Sequence, residues 1–125
     1  MNVPENLRYA ATHEWVRDEG DTVLIGITDH AQHELGDIVF INLPNVGDRV
    51  VTGEALADVE SVKAVSDIIS PVTGTVREVN EALLDHPELI NADAYGAWIA
   101  RVGSVSSSEG LMTAKEYRDQ LDREA

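Results

Sequence analysis

The residue best placed to do chemistry in this sequence is Lys63. The chain has only two lysines, Lys63 and Lys115, against seven arginines. Lys63 stands in the run Glu60-Ser61-Val62-Lys63-Ala64, flanked by small or apolar Val62 and Ala64, with Glu60 three residues before it and Asp67 four after. An enzyme that acylates lysine needs a primary amine clear of the backbone, with identifying marks around it. Two carboxylates beside a lone amine form such a pattern, so Glu60 and Asp67 are expected to guide a modifying enzyme. A surface lysine is otherwise only a solvated charge, and the spacing alone does not separate the two. Gly53 lies ten residues before Lys63 and Gly74 eleven after it, each beside a predicted strand. Lys63 thus falls near the middle of a hairpin spanning about 53–74, whose tip exposes a side chain on rigid support.

The other constellations are weaker. His30 and His33 stand at i, i+3 in a predicted short helix, with Glu34 adjacent. Structural metal sites take three or four ligands, the spacing is not His-Glu-x-x-His, and His13 and His86 lie far away in sequence, so no metal site is expected. His13-Glu14 could be an acid–base pair, but no nucleophile or phosphate-cradling glycine loop accompanies it, so no catalytic residue and no enzyme activity are expected. Asp29 is read as a helix cap and His33 as plain surface. Trp15, Phe40 and Trp98 are expected in the core. The chain has no cysteine, which excludes disulfides, thiolate metal sites and a cysteine nucleophile. Any sulfur chemistry must come from a cofactor.

The elements that must position Lys63 are mostly short strands separated by Gly, Pro, Asn and Asp. Residues 15–17, 22–28, 37–43, 49–51, 56–60, 65–70, 74–79 and 97–102 read as strands; 37–43 is apolar on both faces and is expected to be buried. Thr28 to Gly36 offers an N-cap candidate and a terminal glycine, enough for about two helical turns. Thr113 and Glu116 form a capping box for a C-terminal helix at 113–122, with Tyr117 and Leu121 on its apolar side. Many short strands with two helices predict a mainly β fold, a small sandwich or barrel. At 125 residues, 43% hydrophobic and 26% charged, the sequence suits one domain, 1–125. A net charge of −14 repels phosphate backbones and anionic lipid, so neither nucleic acid nor membrane is an expected partner. It favours docking on basic protein surfaces or simply keeps the chain soluble. The start, Met1-Asn2-Val3-Pro4-Glu5, carries no secretory or transit signal, and no apolar run approaches the ~20 residues of a membrane span. The expectation is a cytoplasmic bacterial protein.

The stretch 60–68, Glu-Ser-Val-Lys-Ala-Val-Ser-Asp-Ile, followed by Ser70-Pro71-Val72-Thr73-Gly74, resembles the lipoylation segment of the glycine cleavage system H proteins. So do His13-Glu14-Trp15-Val16, Gly26-Ile27-Thr28-Asp29-His30-Ala31-Gln32, Leu35-Gly36-Asp37-Ile38-Val39-Phe40, Val79-Asn80-Glu81-Ala82-Leu83, Pro87-Glu88-Leu89-Ile90-Asn91 and Ala114-Lys115-Glu116-Tyr117. These segments, in this order, cover about Leu7 to Leu121. The resemblance implies a lipoyl-domain-like barrel-sandwich hybrid of antiparallel sheets, with a short internal helix and a C-terminal helix. It implies lipoate amide-linked to Lys63, with the difficult chemistry left to that cofactor. It also implies four kinds of partner: lipoyl-attaching enzymes, a pyridoxal-phosphate glycine decarboxylase, a tetrahydrofolate-dependent aminomethyltransferase and a dihydrolipoyl dehydrogenase. In such proteins the loaded arm folds back into a cleft on the carrier; here the acidic candidates for its lining are Glu14 and Asp67, with Thr12 and His30 beside them. Two stretches depart from the family pattern: Tyr95-Gly96-Ala97-Trp98 is one residue short, and 103–110 is rich in serine. A lipoyl-relay role stays open beside glycine cleavage. A lipoyl domain of a 2-oxo acid dehydrogenase ranks lower, since its lysine commonly follows an aspartate, as does a biotinyl carrier, whose lysine has methionine on both sides.

Overall fold

The computed structural model describes residues 2–108 and 110–124; Met1, Glu109 of the serine-rich stretch and Ala125 lie outside them. Among the described residues, nine strands form two antiparallel sheets. In chain order the elements are β1 (Arg8–Tyr9), β2 (Glu14–Asp18), β3 (Thr22–Ile27), α1 (Asp29–Leu35), β4 (Ile38–Asn42), β5 (Arg49–Val50), β6 (Ala55–Ser61), β7 (Val65–Ile69), β8 (Thr73–Val79), α2 (Ala82–Asp85), α3 (Leu89–Ala92), β9 (Ala100–Ser107) and α4 (Ala114–Glu124). The larger sheet runs β1-β2-β3-β9-β8-β5 and the smaller β4-β6-β7. The mainly β expectation holds, and the sheets do not close into a barrel. Ile25, Ile41, Val59, Ile68, Val76 and Ile99, contributed by both sheets and the loops beside them, form the main core. A second cluster, with Tyr9, Trp15, Leu24, Tyr95 and Tyr117, seats α4 against the larger sheet.

Local chemistry explains both long helices. Thr28 caps α1, its hydroxyl accepting the Ala31 N–H at 3.2 Å, so the capping role expected of Asp29 belongs to Thr28. Asp29 instead accepts from the Asn2 N–H and from Gln32 Nε2. The helix ends at Gly36 (φ 78, ψ −160), a conformation open essentially to glycine alone. At α4 the capping box forms in both directions: the Glu116 N–H donates to Thr113 Oγ1 at 3.2 Å and the Thr113 N–H to Glu116 Oε1 at 2.9 Å.

Three expectations are corrected. The strand at 37–43 is not buried on both faces: Ile38 and Ile41 enter the core, but Val39 and Phe40 are 54% and 44% exposed. The reason is that β4 is the edge of the smaller sheet and is bulged against β6 between Ile38 and Phe40. Phe40 is thereby a surface residue, and Trp98 is only partly buried, while Trp15 is fully buried. The last strand begins at Ala100 rather than 97 and runs through the serine-rich stretch, where Ser104 and Ser106 face solvent around half-buried Val105. The one-turn helices α2 and α3 and the two-residue β1 were not foreseen.

Trp15 makes Gly26 indispensable. The two are paired across β2 and β3, and a methyl group at Gly26 would lie 2.5 Å from Trp15 Cε2 and Cζ2. The ring cannot swing aside freely, because its Nε1–H donates to the Ala94 carbonyl at 3.0 Å. Gly26→Ala is expected to cost at least the upper part of the ~1–3 kcal/mol typical of overpacking. Chemical denaturation measures it; an unchanged midpoint would mean the indole has room to move.

Candidate functional site

Lys63 occupies the tip of the hairpin formed by β6 and β7, as the glycine spacing predicts. Ser61 builds the turn: its hydroxyl accepts the N–H groups of Lys63 and Ala64, both at 3.1 Å, while its own N–H donates to the Ala64 carbonyl at 2.8 Å. The Val62 N–H donates to the Asp37 carbonyl at 3.0 Å, tying the tip to the chain that leaves α1. Lys63 is exposed, and among the described residues no carboxylate forms an ion pair with it. Its stem passes over Gly36: a Cβ there would lie 3.3 Å from Lys63 Cε and 3.6 Å from Cδ. A side chain at position 36 would crowd the lysine as well as strain the backbone.

The register of the hairpin separates two faces. Val59 pairs with Ser66 on one, whereas Asp58 pairs with Asp67 and Glu60 with Val65 on the other. Glu60 and Asp67 are both exposed and share the outward face of the hairpin below its tip.

Beside the inward face lies a cleft of about 580 Å³, within the ~300–1,000 Å³ range of small-ligand sites. Ser66 of β7, Ala31, Glu34 and Leu35 of α1, and Leu121 and Glu124 of α4 line it, together with Thr12, His13 and His30. Thr12 and His30 both line this cleft. Asp67 does not: it turns outward into a different concavity beside Asn42, Asp48 and Asp58, because it is one residue out of phase with Ser66. Glu14 does not line the cleft but lies directly behind Thr12, buried at 3% exposure. Thr12 Oγ1 donates to Glu14 Oε1, and the Ile69 N–H donates to Oε2 at 3.3 Å. Burial pushes the Glu14 carboxyl up from its ordinary 4.5 to about 7, against the pull of those two hydrogen bonds.

His13 is the residue whose setting the sequence does not reveal. Its backbone is left-handed (φ 77), a conformation uncommon outside glycine, though less so for histidine than for most residues. The His13 N–H donates to the Ala10 carbonyl and its carbonyl accepts the Thr28 N–H, both at 3.0 Å. The imidazole enters the cleft, with Nδ1 2.7 Å from the Tyr117 hydroxyl and Nε2 3.4 Å from Glu124 Oε2. The Tyr117 hydroxyl in turn meets Thr28 Oγ1 at 2.8 Å. The His30 ring lies 4.7 Å from that of His13, so residues that sequence distance held apart are neighbours. Burial lowers the His13 pKa, partly offset by Glu124. It raises that of Tyr117, which remains a neutral phenol able to donate or accept.

Residues 7–124 match the family model described as glycine cleavage H-protein. The chain is 54% identical over 125 residues to the glycine cleavage system H protein of Lachnoclostridium phytofermentans, covering 99% of this chain and 98% of that one. It is 53% identical over 126 residues to that of Thermoanaerobacter sp., covering 99% of this chain and 100% of that one. The crystal structure of a glycine cleavage system H protein from Mycobacterium marinum superposes with a TM-score of 0.90 at 42% identity, over 96% of this chain and 99% of that one. With residues 7–124 matched by the family model and relatives matched at these identities, the chain belongs to the glycine cleavage H-protein family.

Proposed function

We propose that this protein is the lipoyl carrier of a glycine cleavage system, carrying the aminomethyl group of glycine from the decarboxylase to the aminomethyltransferase before a dihydrolipoyl dehydrogenase reoxidises it. The observation that carries this reading is Lys63: an exposed amine without an ion pair, on a rigid turn, beside a cleft of ligand size. The residues fit lipoate, since an amide bond needs only that amine. An attached lipoyl group would supply a dithiolane that takes up the aminomethyl group and yields it to tetrahydrofolate. The chain's own residues then have three tasks. Lys63 anchors the arm, Glu60 and Asp67 mark the hairpin for lipoyl-attaching enzymes, and Thr12, His30 and the carboxylate behind Thr12 shelter the arm's end. No residue needs to act as a catalytic base, so the protein is a carrier and not an enzyme. No described helix is long and apolar enough to cross a membrane.

Co-expression with a lipoate ligase is expected to add one lipoyl group, mapped to Lys63. Amide formation removes one positive charge, moving the net charge from −14 to −15 (−14 − 1). Glu60→Ala and Asp67→Ala should slow the modification while leaving stability within about 0.5 kcal/mol, as at other exposed sites. Equal rates in both variants would remove their guiding role. The lipoylated protein should then support glycine-dependent CO₂ release by the decarboxylase and retain decarboxylase and aminomethyltransferase in a pull-down. A protein that fails there, yet passes its lipoyl group to other proteins, is a relay instead.

A further inference from the structure

His13, His30 and Glu124 converge on one side of the cleft, and we infer that they form a binding site for a first-row divalent cation of the zinc class. One ligand atom from each lies within 4.8 Å of the other two. A tetrahedral zinc ion with ~2.0–2.1 Å bonds spaces its ligand atoms by ~3.3 Å. His13 Nε2 and Glu124 Oε2, at 3.4 Å, already have that spacing. His30 closes the remainder by a side-chain rotation, for it sits half-exposed on α1 with open cleft before it. Two imidazoles and a carboxylate are the donor set that zinc, cobalt and nickel accept, whereas calcium and magnesium require oxygen cages.

The support behind the first ligand argues for a built site rather than a chance meeting of side chains. A metal-binding imidazole needs its other nitrogen held by a partner, which fixes the ring and the tautomer. His13 Nδ1 has that partner in the Tyr117 hydroxyl, which is itself held by Thr28 Oγ1. The chain of hydroxyls can run in either direction. When a cation takes Nε2, the Nδ1–H donates to Tyr117 and Tyr117 donates to Thr28. Without a cation, Nε2–H can point at Glu124 and the chain reverses. The backbone at His13 is left-handed (φ 77) and its imidazole lines the cleft. Glu34 lies one helical turn after His30 and lines the same cleft, so it is available for a fourth position, alternatively filled by water. The net charge of −14 raises the local concentration of cations. A bound ion would join the turn before β2, α1 and the end of α4 along one wall of the cleft.

The test uses tag-free, full-length, unlipoylated protein, so that no dithiol competes for metal. Titration with ZnCl₂ by calorimetry is expected to show one saturable equivalent. CoCl₂ should give the visible absorption of a four-coordinate cobalt site. His30→Ala, Glu124→Gln and His13→Asn, the last chosen because asparagine tolerates the left-handed backbone, should each weaken binding at least ~10-fold. His33→Ala, on the exposed side of the same helix, should change nothing. Tyr117→Phe should weaken binding by a similar ~10-fold while leaving the three ligands in place. Absence of saturable binding, or binding that survives both His30→Ala and Glu124→Gln, would overturn the site. The unmodified protein carries no arm, so this result stands apart from the carrier role.

Discussion

Lys63→Arg is expected to keep the fold and lose every trace of carrier activity. Arginine conserves the charge and nearly the length of the side chain, but a guanidinium that stays protonated offers no amine for acylation. Nothing in the folded protein depends on the ammonium, since Lys63 is exposed and takes part in the turn only through its backbone N–H. Stability should therefore stay within about 0.5 kcal/mol of wild type. The intact mass after co-expression with a lipoate ligase should match the unmodified chain, and glycine-dependent CO₂ release should fall to background. Lys115→Arg is the control. Lys115 lies on α4, where it forms an i, i+4 ion pair with Asp119 at 3.0 Å, and its loss should leave modification complete. A lipoyl group still present in the Lys63 variant would show that the hairpin tip is not the attachment point.

The hairpin was legible because everything that defines it is local. Gly53 and Gly74 bracket it, and Ser61 closes the turn on residues two and three positions away. Helix α4 was legible for the same reason, with Thr113 and Glu116 visible as a capping box before any tertiary contact is known. The one-turn helices were not, because four residues show no helical period; Leu83 and Ile90 are each a single buried anchor rather than a stripe. The strand containing Phe40 misled through composition. Apolar residues on both faces predict double burial, but only tertiary structure shows that β4 lies at a sheet edge, where a bulge turns Val39 and Phe40 outward.

The cleft divides along the same line. Thr12 and His30 came from resemblance, and the structure brings them together. Asp67, a candidate from the same resemblance, faces away from this cleft, because a strand reverses its side chain at every residue and Ser66 already points inward. His13 stands far from the other histidines in sequence. Its environment is made by Tyr117 and Glu124, more than a hundred positions away, and no pattern in one sequence encodes that contact.

Glu14→Gln is expected to make the protein more stable and a worse carrier. The carboxyl is buried and held up at about 7 rather than 4.5. Below pH 4.5 it is protonated in both folded and unfolded chains and contributes no pH dependence. Between 4.5 and 7 the folded form keeps a proton that the unfolded chain releases, so stability falls as pH rises. Above about pH 7 the full cost of a buried charge is present, on the order of 3 kcal/mol. Glutamine has no charge to bury and can still accept the Ile69 N–H. Urea midpoints of variant and wild type should thus agree near about pH 4 and diverge toward about pH 8, with the variant more stable. Parallel curves would mean that Glu14 is not held as a buried acid. The cost makes sense in a carrier if a cationic group arrives beside it, because the ammonium of a loaded arm would be met by an ionised partner through Thr12. Glu14 stands one hydrogen bond removed from the ammonium, so its charge is worth less than the roughly 1.5–3 kcal/mol of a direct charge-assisted hydrogen bond. At about 1.4 kcal/mol per tenfold, release of formaldehyde and ammonia from the loaded variant should run up to ~10-fold faster than from wild type. Equal release rates, with lipoylation complete in both proteins, would take Glu14 out of the shelter and leave its burial unexplained.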